Sequence, residues 1–365
     1  MDRVSELNSI LGEVFSASKH RLDCLTKIII SMFIVRTVNL REIAVAFDST
    51  AMDASRYKRL KRFFAQFQFD YAALAVWILQ LFFSQDEKLY LTMDRTNWFW
   101  GKSKINVFML GIAYEGIAIP LLWKLLDKAG NASAKEHCEL VDSFINKFDK
   151  SRIAGILGDR EFASEAFFTW CNEKELPFYV RIKDCSLVKV SKKKICTAKE
   201  IFNRLNCREK LEYGLAIELY NTKVYLAGSR SERGELMVVA TNQLPKNAIA
   251  IYLRRWEIEC LFSSLKGRGF RFEETHITKL ERIEKLVAVL AIAFCWAHKV
   301  GEWRAIKRPI TFNKYRGSKR PQFSYFRYGL DFIRDKLINI YTNIQEFIEC
   351  LKLLRQFPDP KRTLL

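Results

Sequence analysis

The chain has 365 residues, of which 49% are hydrophobic and 13% aromatic, a composition that excludes a disordered chain and supplies more than one core. Its net charge is +19, from 60 Lys and Arg against 41 Asp and Glu, which indicates a polyanionic partner such as nucleic acid. The nine cysteines form no C-x-x-C pair and the four histidines are scattered, so a zinc site is not expected.

The N-terminus has no signal-peptide pattern. The two most apolar runs, near residues 28–35 and 286–297, are too short to span a bilayer and indicate buried helices. The odd number of cysteines fits reduced thiols. These features predict a cytoplasmic protein.

Residues 1–85 are predicted to be helical, and part of this region resembles a helix-turn-helix reader of the major groove. Asn39 is predicted to cap a helix over Leu40–Phe47, and a second helix over Asp53–Phe67 follows a polar break at Ser49-Thr50. The candidate DNA-binding residues on the second helix are Arg56, Lys58, Arg59 and Arg62. The alternative is an ordinary helical bundle with a charged outer face, because spacing alone specifies this motif poorly.

From residue 88 the pattern changes to alternating strands and helices, which is typical of an α/β domain. Strands are predicted over residues 89–94, 106–114, 117–123, 153–159 and 178–181, and helices over residues 135–148 and 164–174. Glu115-Gly116 is a hairpin signal between the second and third strands.

Residues 184–245 read as a mostly β insertion rich in lysine, with a hairpin turn at Asn221-Thr222. A long apolar helix follows over Lys279–Trp303. The basic, aromatic segment Lys307–Arg327 fits either a nucleic-acid surface or a flexible linker. The amphipathic helix predicted over Asp331–Arg355 has an apolar stripe that fits either a dimer interface or the core of the same chain.

The predicted domain organisation has four parts. They are a helical DNA-binding domain over residues 1–85, a catalytic core over residues 86–183 and 246–303, a β-rich insertion over residues 184–245, and a basic helical C-terminal region over residues 304–365.

Three acidic residues are candidates for a metal site. Asp94 and Asp159 each follow a buried strand, where α/β folds bind ligands, and Glu259 lies on a later helix. Carboxylates that converge need a compensating cation, and oxygen ligands without His or Cys select Mg²⁺ or Mn²⁺. Two such ions suit attack at a phosphodiester. The alternative for each acid is a cap, a turn residue or a surface ion pair.

The stretch from Tyr252 to Lys266 is predicted to be one helix that carries Tyr252, Arg255, Glu259 and Lys266 along one face. An acid between two cations suits a site that binds a metal and a phosphate together. For Arg255 and Glu259 alone, an ordinary i, i+4 ion pair is the alternative.

These motifs resemble bacterial insertion-sequence transposases of the DDE class, specifically the insertion-sequence-four family. Met93-Asp-Arg-Thr-Asn-Trp98 resembles the first-Asp motif of that family, and Gly158-Asp-Arg-Glu-Phe162 resembles the second. Residues 252–266 match its Y-x₂-R-x₃-E-x₆-K signature at every position. The likeness covers roughly residues 88–300.

The resemblance implies an RNase H-like core with a β-rich insertion before the helix of Glu259. It implies two Mg²⁺ or Mn²⁺ ions bound by Asp94, Asp159 and Glu259, with Tyr252, Arg255 and Lys266 holding phosphates. It implies cut-and-paste transposition through nicking, a DNA hairpin and strand transfer.

The resemblance also implies partners and a location. The expected partners are double-stranded DNA, as inverted-repeat ends and target, and a second copy of the chain in a synaptic homodimer. The expected location is the bacterial cytoplasm, at the nucleoid. In one respect the sequence differs from some relatives, because it has no Trp between Trp170 and Trp256 to stack a base.

Two other functions use the same residues. One is a metal-dependent DNA nuclease on the same core, and the other is a transposase-derived DNA-binding regulator without catalysis. The presence of all three acids argues against the second.

Overall fold

The computed structural model describes residues 3–128, 130–315 and 318–355, which form two compact units. Unit 1 contains residues 1–85, 98–105 and 262–365, and unit 2 contains residues 86–97 and 106–261. The fold is mixed α/β, with one large mixed sheet and many helices.

The N-terminal part of unit 1 is helical, as the sequence predicts. Its helices are α1 (Arg3–Val14), α2 (Lys19–Val35), α3 (Leu40–Ala46), α4 (Asp53–Gln66) and α5 (Tyr71–Phe82). Asn39 caps α3, because its side-chain oxygen accepts the N–H of Arg41 at 3.0 Å. The predicted bounds of α3 and α4 are therefore confirmed to within one residue.

A ten-stranded sheet forms the scaffold of unit 2. Its strands are β1 (Leu89–Trp100), β2 (Ser103–Tyr114), β3 (Ile117–Leu125), β4 (Ile153–Gly158), β5 (Phe178–Ile182), β6 (Leu187–Ser191), β7 (Lys194–Thr197), β8 (Lys210–Leu219), β9 (Thr222–Arg230) and β10 (Leu236–Thr241). The spatial order is β3-β2-β1-β4-β5-β10-β9-β8-β6-β7. The pairs β1–β4 and β4–β5 are parallel, so their carboxyl ends share one edge.

The strands of the insertion continue this sheet. Strand β10 pairs antiparallel with β5, with Val238 opposite Ile182 and Thr241 opposite Tyr179. Strands β9, β8 and β6 then follow in turn, so the hydrogen-bonded ladder runs from the predicted catalytic strands into residues 184–245.

Two hairpin turns show what the sequence does and does not specify. The turn between β2 and β3 has positive φ at Glu115 (45°) and Gly116 (89°), which confirms the predicted turn. The turn between β8 and β9 has positive φ at Tyr220 (50°) and Asn221 (56°). The prediction of Asn221-Thr222 is therefore one residue late, because Thr222 is β-branched, pairs with Leu219 and begins the next strand.

The helices of unit 2 are α6 (Ala134–Ile145), α7 (Glu165–Glu173), α8 (Ala198–Ile201), α9 (Ala248–Leu253) and α10 (Trp256–Leu265), of which the last ends in unit 1. The single helix predicted over residues 252–266 is wrong, because α9 and α10 are separated at Arg254 and Arg255. The N–H of Arg255 bonds to the carbonyl of Tyr252 at 2.9 Å, a tight i to i−3 bond.

Tertiary contacts account for this break between α9 and α10. The hydroxyl of Thr92 donates to the carbonyl of Arg255 at 3.3 Å, and the side chain of Arg254 donates to the carbonyl of Ala113 at 2.9 Å. Both contacts tie the junction to the central strands. Neither is visible in the local sequence, where Arg is a good helix former.

The C-terminal part of unit 1 consists of α11 (Leu280–Lys307), the hairpin β11 (Phe312–Tyr315) and β12 (Ser318–Pro321), α12 (Tyr325–Ile338) and α13 (Ile340–Lys352). The predicted helix over Asp331–Arg355 is thus two helices, with a further kink at Asn343 in α13. Residues 316–317 and 356–365 of the predicted basic C-terminal region lie outside the described residues. No described helix combines the length and hydropathy that a membrane crossing requires.

The apolar stripe of α12 and α13 lies in the core of unit 1. Leu337, Phe347 and Leu351 are at most 2% exposed, and the indole of Trp296 donates to the carbonyl of Cys350 at 2.9 Å. The sequence left two alternatives for this stripe, a dimer interface or the core of the same chain. The structure has it in the core of the same chain.

Two glycines allow α11 and α12 to pack closely. A Cβ on Gly301 would lie 1.8 Å from the carbonyl oxygen of Tyr325, and one on Gly329 would lie 1.8 Å from that of Ala297. We expect Gly301→Ala and Gly329→Ala each to lower the free energy of unfolding by about 3 kcal/mol, because backbone must move in both cases. Urea denaturation would measure this, and Gly267→Ala, which meets nothing within 4 Å, is the matched control.

Candidate active site

Asp94 and Asp159 lie side by side because of strand register. Thr92 of β1 is paired with Leu157 of β4, and each Asp lies two residues further along its strand direction. Neighbouring strands are about 4.8 Å apart, so the two carboxylates are brought to the same edge. Burial is the largest cause that raises the pKa of Asp94, and the negative charge of Asp159 acts in the same direction.

Arg255 connects Asp94 to Glu259. Its guanidinium lies 3.5 Å from the carboxylate of Asp94 and forms a close ion pair with that of Glu259. Arg255 is only 9% exposed, and the side chains of Asp94 and Glu259 are 21% and 34% exposed. The α9–α10 junction therefore places one fixed cation between two of the three predicted acids.

The acids do not form a preassembled metal centre. Within the part of the chain that the structure describes, no group of three His, Cys, Asp or Glu side chains is arranged to hold a metal ion. Burial raises the pKa of Asp94 to about 6 against the opposing effects of the Arg95 N–H and the Arg255 cation. The donor chemistry still fits a hard divalent cation, because Asp94 and Glu259 present partly exposed carboxylate oxygens on either side of Arg255.

The second motif, Gly158 to Phe162, has a local structural reason. A Cβ on Gly158 would lie 2.7 Å from the ring of Phe162, so a side chain has no room there. Asp159 caps the short turn that follows, because its carboxylate accepts the N–H of Glu161 at 2.9 Å. Phe162 stacks on His137 of α6 with ring centroids 4.0 Å apart. These contacts fix the direction in which Asp159 leaves the strand.

Arg95 and Glu161, which were not predicted as site residues, connect the first two motifs. The guanidinium of Arg95 lies 3.0 Å from the carboxylate of Glu161, whose side chain is 9% exposed. Arg95 also donates to the carbonyl of Gly130 at 2.9 Å and to the amide oxygen of Asn131 at 2.7 Å. The only signal in the sequence was that a cation follows Asp94 by one residue and an acid follows Asp159 by two residues.

The DNA cleavage that the sequence resemblance implies is expected to fall by about 10- to 100-fold in Arg95→Gln, because strand β1 at Asp94 and the turn after Asp159 lose their common anchor. The measurement is the cleavage rate of the folded variant. Arg160→Gln, which changes an exposed neighbour, serves as control. An Arg95→Gln protein that cleaves at the wild-type rate would show that the Arg95–Glu161 ion pair does not contribute to the reaction.

Tyr252 lies in the core of unit 2. It is 4% exposed and packs in a cluster with Leu157, Tyr179 and Val239. Burial raises the pKa of its phenol, while a hydrogen bond to Arg255 acts in the opposite direction. Tyr252 is therefore a core residue of unit 2 that contacts Arg255 from the interior.

Lys266, the last residue of the signature, belongs to unit 1. Its ammonium lies 2.7 Å from the carboxylate of Glu273 and 5.9 Å from the ring centroid of Trp98. These contacts keep its charge beside an aromatic ring at the tip of the β1–β2 hairpin.

The four basic residues predicted on α4 divide into two groups. Arg56 donates to the carbonyls of Val45 and Phe47, both at 3.2 Å, and Arg59 pairs with Asp23 at 2.9 Å. These two side chains hold α4 to its neighbours. Lys58 and Arg62 are exposed.

Comparison with protein families shows to which family the chain belongs. A family model described as "Transposase DDE domain" matches residues 40–296, which include Asp94, Asp159 and Glu259. The chain belongs to the transposase DDE domain family. It is therefore a DDE transposase, a protein of DNA transposition and DNA recombination.

Two further comparisons set this transposase against curated proteins and against solved structures. A search of curated proteins finds no match. Eight chains of solved structures match, among them the "Cryo-EM structure of piggyBac transposase synaptic complex with hairpin DNA (SNHP)". That likeness has 10% sequence identity and a TM-score of 0.46, and covers 100% of this chain and 84% of the other.

Proposed function

We propose that this transposase excises and inserts an insertion sequence by cut-and-paste chemistry, of the kind that its resemblance to the insertion-sequence-four family implies. The observation that carries the proposal is the register of β1 and β4, which brings Asp94 beside Asp159, together with the link from Asp94 through Arg255 to Glu259. The order of β1 to β5 is compatible with an RNase H-like core.

The residues proposed to hold divalent cations are Asp94, Asp159 and Glu259. Two Mg²⁺ or Mn²⁺ ions, when bound, would supply an activated attacking oxygen and stabilise the leaving oxygen of the phosphodiester. The proposal needs a rearrangement, since Arg255 now occupies the space between Asp94 and Glu259.

The protein's own residues would position the DNA. The planar guanidinium of Arg255 matches phosphate oxygens as well as carboxylates, so it can exchange one for the other. Lys266 is proposed to hold a phosphate on the strength of the resemblance alone. The buried ring of Tyr252 keeps Arg255 in place rather than touching DNA from the surface. This assigns Tyr252 a positioning role in place of the phosphate contact first expected.

The reaction would proceed in four displacements at phosphorus. Water attacks at the element end and frees a 3′-hydroxyl. That hydroxyl attacks the opposite strand and forms a hairpin, water opens the hairpin, and the 3′-hydroxyl finally attacks the target. Each step makes one P–O bond and breaks one, so no external energy source is needed.

Two copies of the chain would hold two element ends, and the site of action would be the bacterial nucleoid. The large positive charge supports an extended DNA partner.

The decisive test incubates the purified transposase with duplex DNA that carries the element's inverted repeat, a target plasmid and Mg²⁺. The expected result is joined product whose formation stops with EDTA. Cleavage without joining would identify a nuclease instead, and end binding without cleavage would identify a regulator. Either outcome overturns the proposal.

A further inference from the structure

A small cleft in unit 1 lies between the N-terminal helices and the beginning of α11. Its volume is about 160 Å³. Its lining includes Arg41, Tyr57, Lys61, His276, Lys279 and Arg282.

The described residues that line the cleft carry an excess of positive charge. None of them has an acidic side chain. Among the described residues, none of the four cations, Arg41, Lys61, Lys279 and Arg282, has a carboxylate within ion-pair distance. Other cations of unit 1 do, such as Lys336, which pairs with Asp335 at 3.2 Å and also with Glu346. Like charges gathered around one space are stabilised when an anion enters it.

Tyr57 arranges two of the cations without cancelling their charge. The guanidinium carbon of Arg41 lies 3.9 Å from the centre of the Tyr57 ring, and the ammonium of Lys61 lies 5.7 Å from it. The two sides of the cleft are fixed to each other, since Lys285 of α11 donates to the carbonyl of Ala65 in α4 at 3.3 Å. The charges are therefore preorganised on a rigid frame.

An aromatic surface adjoins the cations through His276. The indole of Trp100, at the tip of the β1–β2 hairpin, stacks on His276 with centroids 4.2 Å apart and planes at 20°. Trp100 remains 37% exposed, and its neighbour Phe99 is 64% exposed. Cations beside an exposed aromatic face are typical of nucleic-acid surfaces, whereas a free phosphate needs only the cations.

We propose that this cleft binds the phosphodiester backbone of DNA, with a sugar or base of the same strand against Trp100. The choice of DNA rests on the proposed transposase function. The proposal extends the DNA-binding surface from α4 to the beginning of α11 and to the hairpin tip. It also explains why two aromatic side chains, Phe99 and Trp100, are exposed at this tip.

The test compares charge-matched variants of the full chain. Arg41→Gln/Arg282→Gln removes two cations from opposite sides of the cleft, and Lys19→Gln/Lys352→Gln removes two exposed cations elsewhere in unit 1. Affinity for duplex DNA is measured by fluorescence anisotropy across a salt series. A third variant, Trp100→Ala, removes the aromatic face while keeping every charge.

The cleft variant is expected to bind DNA at least tenfold more weakly at low salt. The slope of log affinity against log salt should fall by about two, since each lost phosphate contact contributes about 0.9. The control should change less than twofold. Trp100→Ala should lose several-fold in affinity with an unchanged slope.

Two results would overturn the proposal. One is a cleft variant whose slope equals that of the control. The other is a cleft variant that keeps the DNA affinity and slope of the control but no longer binds inorganic phosphate or a mononucleotide, which would identify a site for a free anion. DNA affinity is measured here without any catalytic step. Absence of DNA joining in the separate assay would therefore refute the proposed function, but it would not decide whether the cleft binds DNA.

Discussion

Glu259→Gln is expected to abolish DNA cleavage, with a loss of about a thousandfold or more, while binding of element ends changes little. The substitution keeps the size of the side chain and removes one of three carboxylates proposed to hold the cations. Stabilisation of charge in the transition state by such ions is worth several kcal/mol, and about 4 kcal/mol corresponds to a thousandfold. Single-turnover cleavage of an end-containing duplex in Mg²⁺ measures the effect.

The control for this experiment is Glu173→Gln, which removes an exposed carboxylate from α7 in the same unit. It should cleave at the wild-type rate, and both variants should bind ends with similar affinity. A Glu259→Gln protein that cleaves normally would exclude Glu259 from the reaction and leave Asp94 and Asp159 without their third partner.

Arg255→Gln is expected to destabilise the metal-free protein by about 2 kcal/mol. The guanidinium is the cation between Asp94 and Glu259, and its loss leaves both carboxylates uncompensated. Breaking a fully buried pair costs roughly 3–5 kcal/mol, and we expect less because Glu259 is partly exposed. The measurement is the midpoint of urea denaturation in EDTA, followed by circular dichroism.

The same variant should recover stability when Mn²⁺ is added, and should gain more from it than the wild-type protein does. A bound cation would take over the role of the guanidinium, whereas in the wild type it must first displace it. Arg233→Gln, an exposed change in unit 2, should show neither effect. Equal midpoints for Arg255→Gln and wild type in EDTA would show that Arg255 does not compensate these acids.

The parts of the fold that could be predicted were those that neighbouring residues decide. Asn39 is a cap because its own side chain reaches the next turn, and Glu115-Gly116 is a turn because glycine accepts a positive φ. Asp159 was singled out because a short apolar run ends directly before it. These signals are local and are read within about four residues.

The parts that were missed depend on contacts between distant segments. The break between α9 and α10 follows from bonds to Thr92 and Ala113, more than a hundred residues away in the chain. The bonds from Arg56 to two carbonyls of the preceding segment were not expected, while its contact with DNA stays a prediction. The pairing of Arg95 with Glu161 could have been suspected from charge, but only the register of β1 and β4 brings them together.

The burial of Tyr252 separates two kinds of damage that a screen for lost activity would count as one. A substitution at Glu259 is expected to leave a well-folded but inactive protein. Replacement of Tyr252 by a small residue would open a void between Leu157 and Val239 and lower the stability of the fold. We expect proteolysis in the cell to reduce the amount of this variant, so that its activity falls through loss of protein. Abundance measured beside activity would therefore show that one signature residue serves the folding of the enzyme and another its reaction.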